Sequence, residues 1–442
     1  MQEWRSGDTC TAGFVGVYHV LSALLHSCTP PLLKRVLPFY IASAALLLTL
    51  SGCIEEYEAD ISTEDSNLLV VEGTICSSSF CKFTLTRTQA ITSDDTSLNA
   101  QPSTLHQLPT SVIGAMVAVR GSDGSEYKAQ ESNLSAYTTL SGDGSYTCWI
   151  GELSPDVDYW VHIEADGEVY ESEPQKPLPT EQIAEVSGVQ NTLENSVDVL
   201  VTPAAPFSSD QTNYYSWTYD ETWQVFPDCK NDNMYFDTTL LRGVFKAHQF
   251  PEYGWKDGTS STIMVGSSAS YEGQHIEQLK IYGIDLGDER IYGRYSGLLH
   301  QRAISKAEYE YELARLQAGT EMGGLFTPLP SALPTNIRCL TSSKHVIGYV
   351  GCSLNTSDYR FFLDSDDFPV QYPHEDVRLW VINPPNMNYL CRLVNEGYFL
   401  CVWQDDRLSG GDLKTAWAYE YQLDVRFKGA YIEEPEFWIS DK

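Results

Sequence analysis

Positive charge is scarce in this sequence. The chain carries 28 lysine and arginine residues against 60 aspartate and glutamate residues, which gives a formal net charge of −32. Phosphate binding needs clustered basic side chains, so we expect no nucleic-acid partner. An anionic membrane surface would also repel a body of this charge. The acid is spread through a chain with 12% aromatic residues, which is typical of a folded surface and not of a disordered tail.

Recognised catalytic motifs are absent as well. The sequence contains no G-x-S-x-G element, and its nine histidines occur singly. No Ser or Cys nucleophile therefore stands in a pattern that predicts a neighbouring base. A pair of glycosidase carboxylates is defined by its separation in space, which a sequence leaves open. We predict a protein that is not an enzyme and uses no cofactor.

Long apolar runs are rare. The clearest, Ile41–Leu50, follows Lys34 and Arg35. A helix of about ten residues rises about 15 Å, half of the roughly 30 Å hydrocarbon core of a bilayer. The run is therefore too short to span a membrane and has the size of a signal-peptide core. Residues 1–52 are interpreted as a start placed too far upstream plus this signal peptide.

The apolar run leads into Leu50, Ser51, Gly52 and Cys53, a series that looks like a bacterial lipobox. In a lipobox the cysteine is diacylated, and two or more acyl chains are needed for firm anchoring. Glu55 and Glu56 follow directly and resemble the surface-export signal of Bacteroidota lipoproteins. We expect Cys53 to anchor the protein to the outer membrane at the cell surface, with an acidic tether over residues 53–67.

Helical patterns are nearly missing. Ser305 and Glu308 form one capping box, which predicts a helix over residues 305–318 with Tyr309, Leu313 and Leu316 on one face. Many of the other segments alternate apolar and polar residues between turn signals. This pattern predicts a mainly all-β fold. The strongest hairpin signal is the Asp-Gly pair at positions 166 and 167.

Prolines suggest where the chain divides. Residues 68–180 are expected to form an immunoglobulin-like or carboxypeptidase-regulatory-like β-sandwich. Pro174, Pro177 and Pro179 then predict a stiff linker. Residues 181–442 are expected to form a larger β-sandwich domain with the one helix packed on it.

Eight cysteines follow Cys53, and an even number in an exported chain permits disulfides. Cys391 and Cys401 are the candidate pair, because a hairpin turning at Asn395–Gly397 would set them opposite each other. Zinc is the rival explanation. Cys76 and Cys81 come near a zinc-site spacing, but no matching pair follows, so disulfides or free buried thiols are preferred over metal.

Two acidic clusters are weak candidates for Ca²⁺, one at Asp364 and Asp366 and the other at Asp405 and Asp406. Oxygen-rich loops of this kind can hold the ion. Neither cluster has the EF-hand spacing, and clusters arise by chance in so acidic a chain. We therefore predict no metal site.

Aromatic residues are the more promising binding candidates. Many of them are expected to pack in the core. Tyr253 and Trp255 fall in the loop-rich segment 227–270, where burial is harder to achieve. Exposed Trp and Tyr commonly mark binding surfaces, so these two residues are the predicted binding site.

The order of features along residues 53–438 resembles the Bacteroidota lipoproteins grouped as domain of unknown function 4249. The resemblance rests on the lipobox with its acidic follow-on, Leu69–Gly73, Gly114–Val119 with its Asp-Gly turn, the Ala307–Tyr309 helix, Leu333–Ile337 leading to Gly348–Gly351, and the ending Asp424–Arg426 and Glu434–Trp438. Members of this family commonly have a cysteine near that ending. In this chain, neither Val425 nor its neighbours are cysteine.

The resemblance implies a genomic setting similar to that of outer-membrane lipoproteins that accompany TonB-dependent transporters, and it implies no activity. We therefore expect a surface-exposed outer-membrane lipoprotein that serves as a non-catalytic binding or accessory partner of such a transporter in nutrient uptake. The alternative is a cell-surface structural or adhesive subunit that contacts other proteins or glycans. The ligand class stays open.

Overall fold

Strands separated by short connections dominate the chain. The computed structural model describes residues 67–77, 79–88, 110–132, 143–208, 210–229, 232–246, 250–260, 263–320, 333–370 and 377–438. The mainly β fold predicted from the sequence is confirmed. The strands in these ranges are β1 (Leu69–Cys76), β2 (Ser79–Arg87), β3 (Thr110–Ser111), β4 (Met116–Gly121), β5 (Glu126–Lys128), β6 (Gln130–Glu131), β7 (Ser145–Ile150), β8 (Tyr159–Ala165), β9 (Glu168–Ser172), β10 (Ile183–Asn191), β11 (Ser196–Pro203), β12 (Tyr214–Val225), β13 (Met234–Asp237), β14 (Arg242–Phe245), β15 (Gly254–Thr259), β16 (Met264–Ser267), β17 (Leu279–Asp285), β18 (Tyr295–Ile304), β19 (Ile337–Cys339), β20 (Val346–Ser353), β21 (Ser357–Leu363), β22 (Leu379–Ile382), β23 (Tyr398–Asp405) and β24 (Leu413–Tyr419). The α-helices in the same ranges are α1 (Lys306–Thr320), α2 (Met387–Asn395) and α3 (Glu420–Leu423).

The first sandwich is built from two sheets. Sheet A has the order β20–β1–β2–β7–β6, with β3 beside β2, and sheet B has the order β19–β9–β8–β4–β5. Apolar side chains of both sheets, such as Phe83 and Ile163, fill one shared core. The predicted turn between β8 and β9 is confirmed, because Asp166 and Gly167 both have positive φ, 54° and 80°, as a two-residue hairpin turn requires.

Two strands of this sandwich come from much later in the chain. β20 pairs in parallel with β1, and β19 pairs antiparallel with β9. The proline-rich segment also lies against β20, where the Leu178 amide donates to the Cys352 carbonyl. Residues 68–180 alone therefore do not complete the first sandwich, since residues 337–353 supply the outer strand of each sheet.

The second sandwich packs sheet C, with the order β10–β11–β17, on sheet D. Sheet D has the order β15–β12–β18–β21, with β16 beside β12. Two adjoining clusters of apolar residues lie between the sheets, and Trp217 is fully buried in one of them. A buried carboxylate, Glu221, accepts hydrogen bonds from Arg290 at 3.2 Å and from the Tyr295 hydroxyl at 3.0 Å. These bonds offset the desolvation of its charge.

A smaller third module contains sheet F, with the order β22–β24–β23, the β13–β14 hairpin and α2. The helix is a correction, because the hairpin predicted to turn at Asn395–Gly397 requires a strand on each side of the turn, and residues 389–394 would have been the first of the two. Asn386 caps α2 by accepting a bond from the Tyr389 amide at 3.0 Å. Leu390 and Leu393 lie about one turn apart and are both buried, so the apolar pattern has the helical period.

The helix removes the hairpin that was to join Cys391 and Cys401. Gly397 does have a positive φ of 88°, but it follows the C-terminal cap of α2. Cys391 lies on the helix and the buried Cys401 lies on β23. Among the eight cysteines that the structure describes, none is joined in a disulfide bond.

Helix α1 begins as predicted, since the Ser305 hydroxyl accepts a bond from the Glu308 amide at 3.1 Å. Its buried face differs from the prediction. Glu308 and Tyr311 are buried, whereas Leu313 is 37% exposed. The reason is Arg302 on β18, which forms an ion pair with Glu308 and so allows a charged side chain to face the protein interior.

Within the ranges given above, no helix is long and apolar enough to cross a membrane. Cys53, Glu55 and Glu56, on which the anchor prediction depends, lie outside the described residues.

Gly348 provides a test of the pairing between β20 and β1. Its φ is +117°, and a Cβ at this position would lie 1.9 Å from the Val71 carbonyl oxygen. We expect Gly348→Ala to lower the free energy of unfolding by roughly 3 kcal/mol or more, because the two backbones must separate to relieve the clash. Denaturant titration of the purified protein measures the change. Gly151→Ala is the control, since a Cβ there meets nothing within 4 Å; an equal loss in both variants would contradict the close approach.

Candidate functional site

A large open cleft lies where strands of sheet D end. β12 and β21 finish at this end of the sheet and β15 and β18 start there, since Val225 pairs with Gly254 and Leu363 with Tyr295. The cleft has a volume of 1230 Å³, and we call it the acidic cleft. Its lining consists of Gln224, Phe226, Pro227, Asp228, Asp232, Asn233, Phe250, Pro251, Glu252, Tyr253, Tyr292, Gly293, Arg294, Asp364, Ser365, Asp366, Asp367, Val377, Leu423 and Lys428.

Two aromatic rings form an exposed part of the wall. Phe226 and Tyr253 are each 38% exposed, and their ring centroids lie 6.3 Å apart. Gly293 gives Phe226 room, because a Cβ there would lie 2.6 Å from the Phe226 ring. Exposed aromatic rings in a concave site are the usual anchors for ligands and partner proteins.

A third aromatic side chain, Tyr292, supplies a polar tip. Its hydroxyl donates to the Gly287 carbonyl at 2.7 Å. Burial and the nearby carboxylates of Asp288 and Glu289 raise the pKa of Tyr292 above its ordinary value. The hydroxyl therefore stays protonated at neutral pH, and its one proton is donated to the Gly287 carbonyl.

Carboxylates dominate the charge of the acidic cleft. The lining holds two cationic side chains, Arg294 and Lys428, and six carboxylates, from Asp228, Asp232, Glu252, Asp364, Asp366 and Asp367. Both cations are engaged in ion pairs. Arg294 donates to both oxygens of Asp364, at 2.8 and 3.2 Å, and Lys428 Nζ lies 2.6 Å from Asp228 Oδ1. The surplus of negative charge favours cationic ligands over anionic ones.

The structure separates the two predicted binding aromatics. Tyr253 lines the acidic cleft, whereas Trp255 is 4% exposed and belongs to the interior. Trp255 is buried because its strand pairs with β12 on one side and its backbone bonds to Tyr431 on the other, at 2.8 and 2.9 Å. Its indole nitrogen is buried without a hydrogen-bond partner among the described residues.

The weak Ca²⁺ candidates are likewise divided. Asp364 and Asp366 line the acidic cleft, but Asp364 is already paired with Arg294. Asp405 and Asp406 lie outside the lining, and Asp405 accepts two bonds from the Arg407 guanidinium, both at 2.7 Å. Nowhere in the described part of the chain do three or more His, Cys, Asp or Glu side chains gather as a metal site.

A comparison with protein families matches residues 54–358 to the family described as Domain of unknown function (DUF4249). The chain belongs to this family. In this DUF4249 protein the matched range spans the first sandwich, including β19 and β20, and most of the second. Asp364, Asp366 and Lys428 of the acidic cleft follow the matched range. No curated protein matches the chain.

Several residues of the acidic cleft in this DUF4249 protein were not predicted from the sequence, notably Phe226, Tyr292 and Arg294. Each stands close to the end of strand β12 or the start of strand β18, so strand ends were the available signal. The missing information was which strands are neighbours in the sheet. β12 pairs with β18, and β18 pairs with β21. These pairings place the end of β12 and the start of β18 at the same end of the sheet as Asp364, which directly follows β21.

Trp255 and Tyr253 are expected to differ in their effect on stability. Trp255→Ala should lower the free energy of unfolding by about 3–5 kcal/mol, because it empties a packed interior position. Tyr253→Ala should cost roughly 1 kcal/mol, since its ring is partly exposed. Chemical denaturation of the two purified variants gives both values. An equally large loss for Tyr253→Ala would assign that residue to packing and not to the binding surface.

Proposed function

We propose that this DUF4249 protein is a surface-exposed lipoprotein of the outer membrane that binds a ligand in the acidic cleft. It acts as a non-catalytic accessory partner of a TonB-dependent transporter in nutrient uptake. The observation that carries the binding role is the exposed pair Phe226 and Tyr253 in an opening of 1230 Å³. Pockets for small ligands measure about 300–1,000 Å³, so this cleft suits an extended ligand or a segment of a partner protein.

The charge of the cleft narrows the ligand class. Six carboxylates against two cations repel anions, and the rings of Phe226 and Tyr253 offer faces to apolar groups and to cations. The proposed ligand is therefore neutral and polar or positively charged.

A binding role also agrees with the state of the charged groups. A general acid or base must exchange a proton during the reaction. Asp364 is instead held by two bonds from Arg294, and Asp228 is paired with Lys428. These ion pairs fix both carboxylates in position in the wall of the cleft, which suits recognition of a ligand.

The outer-membrane location is supported by the sequence before the first strand. Cys53 ends a short apolar run and precedes Glu55 and Glu56. Cys53 lies 16 positions before the start of β1, which leaves a tether between lipid and body. The transporter partnership is supported by the genomic setting of the family. This setting is similar to that of outer-membrane lipoproteins that accompany TonB-dependent transporters.

One observation favours the alternative, an adhesive or structural subunit. β22 lies at the edge of sheet F and exposes Leu379, Trp380 and Ile382, which are 37%, 44% and 56% exposed. An apolar edge strand is a template for contact with another protein. Such a subunit would occur in assemblies and leave nutrient uptake intact.

The lipid anchor is tested at Cys53. We expect Cys53→Ala to yield an unprocessed or soluble protein, because it removes the acyl attachment site, and fractionation of membranes detects this. Replacing Glu55 and Glu56 with Ala should keep the protein in the membrane but protect it from protease on intact cells. Unchanged fractionation of the Cys53→Ala protein would reject the anchor.

The binding role is tested by purification from outer membranes in mild detergent, with mass-spectrometric identification of partners. A TonB-dependent barrel should be enriched over an unrelated lipoprotein, through an interface of at least about 1,000 Å². Phe226→Ala and Tyr253→Ala should each weaken binding of the ligand or partner by more than about 1 kcal/mol if the rings are anchors. Tyr235→Ala is the matched control, because Tyr235 is 37% exposed and lies outside the cleft lining.

Two results would count against the proposal. Absence of any enriched barrel removes the transporter partnership. Equal weakening by Tyr235→Ala and Tyr253→Ala removes the acidic cleft as the binding site. Deletion of the protein should also impair uptake of one nutrient class, whereas an adhesive subunit would leave uptake unchanged.

A further inference from the structure

Two cysteines face each other inside the first sandwich. Cys81 on β2 and Cys148 on β7 are direct partners in the antiparallel register. Opposed residues of such a pair place their side chains on the same face of the sheet. Both side chains point into the shared core, at 2% and 4% exposure. The sequence does not suggest this pair, since the two cysteines stand 67 positions apart.

Backbone groups hold the Cys81 thiol in place. The Cys76 amide donates to Cys81 Sγ at 3.3 Å, and the Cys81 thiol donates to the Cys76 carbonyl at 3.4 Å. The neighbouring Cys148 thiol and these backbone bonds lower the pKa of Cys81, whereas the Cys81 thiol and burial raise the pKa of Cys148.

We propose that Cys81 and Cys148 form a disulfide bond that clamps β2 to β7 at the centre of sheet A. Opposed β-carbons lie roughly 4.5–5.5 Å apart and a disulfide needs about 3.5–4.5 Å, so closure requires a shift of about 1 Å. In the cell, formation of this disulfide depends on the proposed export of the protein to the envelope, where disulfides persist.

The chemistry is thiol–disulfide exchange with a disulfide oxidant such as oxidised glutathione. The thiolate of one cysteine, Cys81 or Cys148, attacks one sulfur of the oxidant and releases one glutathione thiolate, which takes up a proton. The thiolate of the other cysteine then attacks the protein sulfur of the mixed disulfide and releases the second glutathione. Two protein thiols are oxidised and one oxidant disulfide is reduced. Because both thiols are buried, the exchange takes place before β2 and β7 close during folding.

Peptide mapping without reductant tests the pairing. The full chain is unfolded, reduced and refolded with mixed reduced and oxidised glutathione, and thiols that remain are alkylated. Cleavage after aromatic residues places Cys81 in the peptide Cys81–Phe83 and Cys148 in Thr147–Trp149, each without another cysteine. The expected result is a linked pair of these two peptides that separates on reduction.

Cys352→Ser is the control, because Cys352 lies in the same core cluster but should keep the Cys81–Cys148 link intact when replaced. Cys81→Ser should leave Cys148 fully alkylated. A link from Cys81 to Cys76, or from Cys148 to Cys352, would overturn the proposal, as would two alkylated thiols in the refolded protein. If refolded protein carries the link but protein isolated from membranes does not, the pairing stands and the proposed export fails.

Discussion

The parallel pairing of β20 with β1 is the constraint on which the rest of the structure depends. It aligns Val346–Ser353 with Leu69–Cys76 over the full length of both strands. Such distant pairing requires the chain between the strands to leave the first sandwich and return to it, at the cost of closing a very long loop. Strands β10 to β18 and helix α1 lie in that interval. The second sandwich is therefore largely an insertion into the first, and β21 returns to sheet D immediately after β20.

Side-chain amides fix this arrangement along β20. Asn336 donates to the Val350 carbonyl at 2.8 Å and accepts from the Val350 amide at 3.0 Å, and Gln175 also donates to that carbonyl at 2.8 Å. These bonds satisfy backbone groups that an edge strand would otherwise expose. Beside them, the Arg302–Glu308 ion pair lies so close to Gly351 that a Cβ would be 2.5 Å from the Glu308 carboxylate. β20 thus connects the first sandwich with β18 and α1.

The acidic cleft follows from the strand order of sheet D. Antiparallel neighbours alternate in direction, so the ends of β12 and β21 and the starts of β15 and β18 meet at one end of the sheet. Loops on a rigid sheet can carry binding residues without disturbing the core. The cost is repulsion among six carboxylates in one opening. Arg294 and Lys428 offset part of it by pairing with Asp364 and Asp228.

The sequence by itself determined the features that depend on neighbouring residues. Alternating strands, the turn at Asp166 and Gly167 and the cap at Ser305 follow from local backbone chemistry, and the structure has them all. Only the tertiary structure decided that residues 337–353 complete the first sandwich and that Trp255 is buried while Tyr253 lines a cleft. Short apolar segments such as residues 389–394 suit a strand or a helix equally well over so few positions. Burial and strand partners depend on residues far away in the chain, because packing and sheet hydrogen bonds join segments that local pattern cannot relate.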